Sequence, residues 1–307
     1  MTIDITISEV GPRDGLQSIK HIMPTAAKKA WIKAQFEAGT SEIEVGSFVP
    51  PRILPQMADS AEVVAFATTL EGLDVAVLVP NLRGLENAVA AGAHKVSIPF
   101  SMSESHSIKN VRKTHPEMLV EIARCVAYLD TLPNGQRPKF EVGLSTAFGC
   151  TIEGKVPEDL VISMAEKVVE IGADEVGLSD TTGYGNPAQL RRLVNGTWDA
   201  CGKDKLTGVH LHNTRGQGLA NALMAVELGI TTIDSSLGGI GGCPWAPGAS
   251  GNIVTEDLVF LLEAMGLNTG IDLDKLIAVR ELVQKALPDE EMYGFIPGAG
   301  LPKGFYT

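Results

Sequence analysis

EAGTSEIEV at residues 37–45, AAGAHKVSI at 90–98, EIGADEVGL at 170–178 and ELGITTIDS at 227–235 are four versions of one phrase. Each runs from a helix end, through a glycine able to take the left-handed cap, into a short approach and an apolar strand. Their recurrence marks a strand-plus-helix quasi-repeat of about 30 to 40 residues. Eight such units in roughly 265 residues are what a parallel (β/α)8 barrel, an α/β fold of the TIM type, requires.

Outward from these junctions, strands are predicted at 3–8, 42–47, 75–79, 95–99, 141–146, 175–179, 207–212 and 232–236. The intervening helices fall at 25–38, 60–70, 82–91, 116–129, 157–171, 187–201, 219–228 and 255–265. Residues 101–114 read as a polar loop and 133–138 as a turn-rich hinge. A doubly wound open sheet competes, but it needs fewer strands or a second domain, and no polar linker divides the chain. The barrel is therefore expected over 1–270, with 271–307 packed on it as an additional helix and a Gly/Pro-rich tail, FIPGAGLPKGFYT. That tail suits a flap or a subunit contact rather than an independent domain.

The chain has 307 residues, and 25 Lys and Arg stand against 37 Asp and Glu, a net charge of -12 that argues against nucleic-acid and anionic-membrane partners. Its four cysteines show no C-x-x-C spacing, and no apolar run reaches the ~18 residues of a membrane span. The opening MTIDITIS has neither a basic nor an apolar targeting region, so a soluble, cytoplasmic protein is expected. No G-x-G-x-x-G follows a strand and no Walker lysine occurs, which leaves dinucleotides and nucleoside triphosphates without support.

In a barrel the chemistry gathers where strands meet the following loops. The polar residues at those ends are Arg13, Asp14 and Gln17; Glu44 and Ser47; Asn81; Ser145 and Thr146; Ser179 and Asp180; His210, His212 and Asn213; and Ser235 and Ser236. They make a polar rim on an otherwise apolar barrel. On an extended strand, His210 and His212 point to the same side. Two converging imidazoles suit a divalent metal or an acid/base pair, although a His-x-His pair also occurs on solvated faces. Asp14 is their natural carboxylate partner, because only the eighth strand separates the first from the seventh in a closed barrel. The competing role for Asp14 is an Asx cap in its own turn. Ligand type alone suits Mg, Mn, Co, Zn or Fe(II), and Asn252 could complete the set. Cys243 lies among six glycines between Gly238 and Gly251, a composition that lets the backbone approach a ligand closely and points to an acid/base or nucleophile delivered on closure. The alternative is a small hydrophobe in a loop. His21, His94, His106 and His115 are expected at the surface.

These motifs resemble those of the 3-hydroxy-3-methylglutaryl-CoA lyases, within the metal-dependent barrel enzymes that make or break carbon–carbon bonds. The resemblance rests on EVGPRDGLQ (9–17), EVGSFVPPRILPQMAD (44–59), VPNLRGLENAVAAG (79–92), SDTTGYGNP (179–187) and GGIGGCPWAPGASGNIVTEDLVFLLEAMG (238–266). It implies Asp14, His210, His212 and Asn252 as metal ligands, with Mg or Mn ahead of Zn or Co. It further implies Arg13 as the group that balances the enolate, Cys243 as the acid on its loop, Glu44 and Asp180 as site acids and Gln17 as a site glutamine. Asp180 or His210 is the expected base. The implied reaction is retro-Claisen cleavage of an acyl-CoA to acetyl-CoA and a keto acid, in a homodimer or homotetramer. Alternatives are a related thioester such as citramalyl-CoA, a condensing synthase, or a barrel kept as a scaffold.

Two departures stand out. HLHNTRGQ (210–217) replaces the family's HCHDTYGQ, and CTIEG (150–154) its CPYEG. Arg215 would add a carboxylate-reading cation, and Thr151 and Ile152 would stand beside the pocket. Charge and rim position nominate Asn81, Arg83, Lys109 and Asn110 for coenzyme A.

Overall fold

The computed structural model describes residues 2–241 and 251–305. The chain opens with β1 (Thr6–Glu9) and α1 (Thr25–Glu37), then β2 (Glu42–Ser47) and α2 (Ser60–Ala67), then β3 (Asp74–Leu78) and α3 (Leu82–Ala91). It continues through β4 (Lys95–Ser101), α4 (Glu104–Val111), α5 (His115–Leu129), β5 (Lys139–Ser145) and α6 (Glu158–Ile171). The last units are β6 (Glu175–Asp180), α7 (Pro187–Cys201), β7 (Gly208–Leu211), α8 (Gly218–Leu228), β8 (Thr232–Ser235) and α9 (Thr255–Ala264), followed by α10 (Leu273–Ala286) and α11 (Ile296–Ala299). The eight strands are parallel, pair in sequence order and close with β8 beside β1, the (β/α)8 barrel the junctions predict.

The junction glycines do what the repeated phrase requires: Gly39, Gly92, Gly172 and Gly229 all take positive φ, between 88° and 116°. A side chain there would strain the turn that returns each helix to the sheet. Side chains such as Ile43, Val75, Val96, Phe140, Val142, Leu178 and Ile233 are wholly buried between strands and helices, and this layer is the core.

Three features differ from expectation. Residues 104–111 form α4 rather than loop, with Ser103 accepting the His106 N–H at 3.2 Å as its cap. The helix is only eight residues long and buries the polar His106 and Ser107, so no apolar face marks it in the sequence. After β1 the chain makes a tight π-type turn, Gly11–Gly15, in which the N–H groups of Arg13 and Asp14 both donate to the Val10 carbonyl. A Cβ on Gly11 would meet Glu9 Oε1 at 2.5 Å and the Trp31 ring at 2.8 Å, so only glycine fits. The barrel interior is also polar, not apolar: Glu42, Lys95, Ser97, Glu141 and Asp234 face inward. Strands such as KVSIP and TIDS alternate polar and apolar, whereas strands apolar on both faces read as continuous hydrophobic runs.

The C-terminal segment docks on the barrel's end. Asp257 accepts the Phe295 and Ile296 N–H groups at 2.9 Å, and Arg280 donates to the Met292 and Tyr293 carbonyls at 2.8 and 2.7 Å. No helix among the described residues is long and apolar enough to cross a membrane.

Candidate active site

The π-turn turns Arg13 and Asp14 into the C-terminal mouth of the barrel, where β7 delivers the two histidines. His210 ends the inward-facing series of β7, and His212, just past the strand, forms a bridge with Asn252. The Nε2 atoms of His210 and His212 lie 3.0 Å apart, and Asp14 Oδ2 is 4.0 and 3.9 Å from them. Among the described residues these three form the group able to hold a metal ion, and Asn252 Nδ2 donates to Asp14 Oδ2 at 2.8 Å.

Ionisation suits a ligand set. Burial would raise Asp14, but Arg13 and the two histidines outweigh it and hold its carboxyl well below the usual range. Burial, reinforced by His210, drives His212 down to about 3, which keeps it neutral. Burial would also lower His210, but the Asp234 hydrogen bond (Nδ1 to Oδ2, 3.0 Å) and the Asp14 charge raise it. Two facing imidazole nitrogens can share only one proton, and Asn252 Oδ1 is buried without a hydrogen-bond partner among the described residues. A cation held by Asp14 and the two imidazoles would take the place of that shared proton, and Asn252 Oδ1 is an unused ligand atom beside them. Among the described residues the cavity is lined by five carboxylates, Asp14, Glu42, Glu44, Glu141 and Asp234, and by the cations Arg13, Lys95, Arg112 and Lys113.

Arg13 is buried and locked in place: Nε donates to Glu44 Oε2 at 2.5 Å and Nη1 to Asp14 Oδ1 at 2.7 Å. Gln17 Nε2 donates to the same Asp14 oxygen at 2.8 Å. Burial pushes Glu44 up to about 7 despite Arg13. All of these except Asn252 line a cavity of about 710 Å³ that runs from the mouth deep into the barrel.

Several nominated residues stand elsewhere. Asp180 pairs in register with Leu211, on the strand face opposite Ser179 and His210, and its oxygens accept the Tyr184 and Gly185 N–H groups at 2.9 and 3.0 Å. It anchors a loop and is withdrawn as the base, although burial pushes it up to about 6. Arg215 donates to the Thr182 and Gly183 carbonyls and stacks over Tyr184, 4.5 Å from the ring centre, so it clamps that same loop. Asn213 accepts the Gly218 N–H at 2.9 Å at the start of α8. Arg215, Asn213, Thr151 and Ile152 are not among the cavity-lining residues. Arg83 is exposed and paired with Glu86, and Lys109 lies on the exposed side of α4. Asn110 lines the mouth, and Asn81 lines the cavity while capping α3 through Gly84 N–H. Cys243 lies outside the described residues.

Sequence reading missed five contributors. Asp234 orients His210; its signal was the inward parity it shares with that histidine across β7 and β8. Lys95 sits inside the barrel. His106, expected at the surface, is buried beside the cavity with Nδ1 2.8 Å from Ser101 Oγ. Arg112 and Lys113 line the mouth, brought there by the end of α4.

Fold and site together define a metal-dependent (β/α)8 barrel of the carbon–carbon lyase type. The chain matches the HMGL-like family over residues 4–283 and belongs to it. It is 41% identical over 283 residues to the mitochondrial hydroxymethylglutaryl-CoA lyase of Arabidopsis thaliana, covering 92% of this chain and 59% of that protein. It is 40% identical to the cytoplasmic 3-hydroxy-3-methylglutaryl-CoA lyase of Rattus norvegicus, covering 92% and 81%. Among solved structures, an HMG-CoA lyase from Acinetobacter baumannii in complex with coenzyme A and 3-methylmalate superposes with a TM-score of 0.91 at 38% identity, covering 98% of this chain and 96% of that one.

Proposed function

We propose that this chain is a divalent-metal-dependent lyase that cleaves a 3-hydroxy-3-methylglutaryl-CoA-like thioester to acetyl-CoA and a keto acid. The observation that carries the reading is the Asp14, His210 and His212 cluster opening into the cavity that Arg13 and Glu44 line. Asp14, His210, His212 and Asn252 would hold the ion. When bound, it would supply Lewis acidity to a hydroxyl and carboxylate of the substrate. One carboxylate, two imidazoles and an amide oxygen admit Mg, Mn, Co, Zn or Fe(II), and Mg or Mn is put first on the family resemblance.

The hydroxyl proton leaves to a base facing the cavity. With Asp180 turned away and His210 given to the ion, the base is Glu44, whose carboxyl burial raises to about 7 beside Arg13 and Asp14. The bond between C2 and C3 then breaks, its electrons pass into the thioester enolate, and Arg13 balances the charge on the enolate oxygen. Cys243 supplies the proton to the enolate carbon, a role taken from the family resemblance. Gln17 holds Asp14, while Arg112, Lys113, Asn110 and Asn81 offer the mouth's polar groups to coenzyme A. The cytoplasm is proposed after the compartment named for the rat relative, and a homodimer or homotetramer after the resemblance, with exposed Phe295 as an apolar contact.

Thioester cleavage by the metal-stripped protein, the protein resupplied with Mg or Mn, and the Asp14→Ala variant tests the reading. Activity restored by metal and lost in the variant is expected; equal activity in all three overturns it.

A further inference from the structure

The cavity does not stop at the histidines. Two residues back along β7 from His210 is Gly208, which pairs in register with Gly177 of β6, and Gly177 pairs with Gly143 of β5. All three line the cavity. At ~3.3 Å per strand residue, this tier lies ~6–7 Å beneath His210. Barrel interiors are ordinarily filled at such positions by bulky branched side chains.

Neither crowding nor backbone conformation demands glycine at two of these positions. A Cβ built on Gly143 meets nothing nearer than the Ile98 carbonyl oxygen at 3.9 Å, and one on Gly208 comes no closer than 3.6 Å to Thr232. Neither residue has positive φ. What the missing side chains leave is volume, directly below the ligand cluster. The floor is polar: Lys95 Nζ pairs with Glu141 at 2.8 Å and with Glu42 at 3.5 Å, and Asp234 adds a third carboxylate. Three acids around one already-paired ammonium repel an added carboxylate and offer acceptors to a hydroxyl.

We propose that this chamber receives the substituent on C3 of the substrate, and that the chain selects 3-hydroxyglutaryl-CoA thioesters whose C3 substituent is several atoms longer than methyl and ends in a hydroxyl. The inference rests on the lyase reading above. The chemistry is unchanged: the C2–C3 bond breaks, the C3 hydroxyl loses its proton, the enolate carbon gains one, and the products are acetyl-CoA and a 3-oxo acid bearing the long substituent.

The test compares kcat/KM on thioesters carrying methyl, pentyl and 4-hydroxybutyl at C3, for the wild type, Gly143→Val and Gly208→Ala, with metal supplied. The hydroxybutyl thioester should be the best wild-type substrate. Both variants should lower its kcat/KM relative to the methyl thioester, by about ten-fold or more for Gly143→Val. A higher wild-type value on the methyl thioester, or a ratio unchanged in both variants, overturns the chamber's role. Pentyl equal to hydroxybutyl overturns the polar end. Cleavage of none of the three overturns the lyase reading itself, which separates that failure from this one.

Discussion

Replacing Glu9 with glutamine should flatten the pH dependence of stability. Glu9 is completely buried at the end of β1, where Oε1 accepts the Gly11 and Leu237 N–H groups, each at 2.9 Å, and Oε2 accepts Thr255 Oγ1 at 2.8 Å and Gln35 Nε2 at 3.2 Å. It therefore ties the π-turn that carries Arg13 and Asp14 to the segment following β8. Burial pushes its carboxyl from 4.5 to about 8, because four hydrogen bonds do not replace the hydration of a fully enclosed anion. Between those values the folded protein keeps a proton that the unfolded chain has released, so stability falls as pH rises, by up to ~1.4 kcal/mol per pH unit. The stabilisation is complete below about 4.5 and lost as pH climbs through about 8. Integrating between pH 5 and pH 8 gives a loss of roughly 3–4 kcal/mol attributable to this residue. Equilibrium urea unfolding of wild type and Glu9→Gln at both pH values reads it directly. The stability difference between the two proteins should move by that amount in favour of the variant at pH 8. Parallel pH profiles would refute the burial argument.

The remaining predictions follow from the site and its supports. The kcat/KM of the wild type should rise with pH through about 7 as Glu44 loses its proton, and Glu44→Gln should lose both that limb and about 100-fold in rate; a retained limb assigns the base elsewhere. Asp234→Asn should weaken Mn2+ binding about 10- to 100-fold by calorimetry on stripped protein, since the carboxylate fixes His210 from behind; an unchanged Kd removes that role. Arg280→Ala leaves Glu256, wholly buried, without its 2.8 Å partner and releases the Met292 and Tyr293 carbonyls. A loss of about 3–5 kcal/mol is expected in urea unfolding, and a loss under 1 kcal/mol would contradict the pairing.

The eight-unit barrel was legible because its signals are local. A glycine that must take positive φ, and an apolar run after it, are written into each junction regardless of what lies across the molecule. The ligand cluster was legible for a related reason: strand order alone sets β1 one strand from β7, so Asp14 and a His-x-His pair could be placed together before any coordinates. Parity within a strand should also have exposed the polar interior, and with it Asp234 and Lys95, had the inward positions been compared across strands.

Other features depended on packing at a distance. Asp180 and Arg215 carry the same charges whether they face a substrate or a loop, and only the folded chain brings the Tyr184 and Gly185 amides to the one and the Thr182 and Gly183 carbonyls to the other. Residues 104–111 fold as a helix capped by Ser103 whose buried positions, His106 and Ser107, are polar and so carry no apolar signal in the sequence. Glycines at 143, 177 and 208 are ordinary letters along three separate strands. Closure of the sheet aligns them into a single tier, and the volume beside Gly143 and Gly208 exists only because both lack side chains.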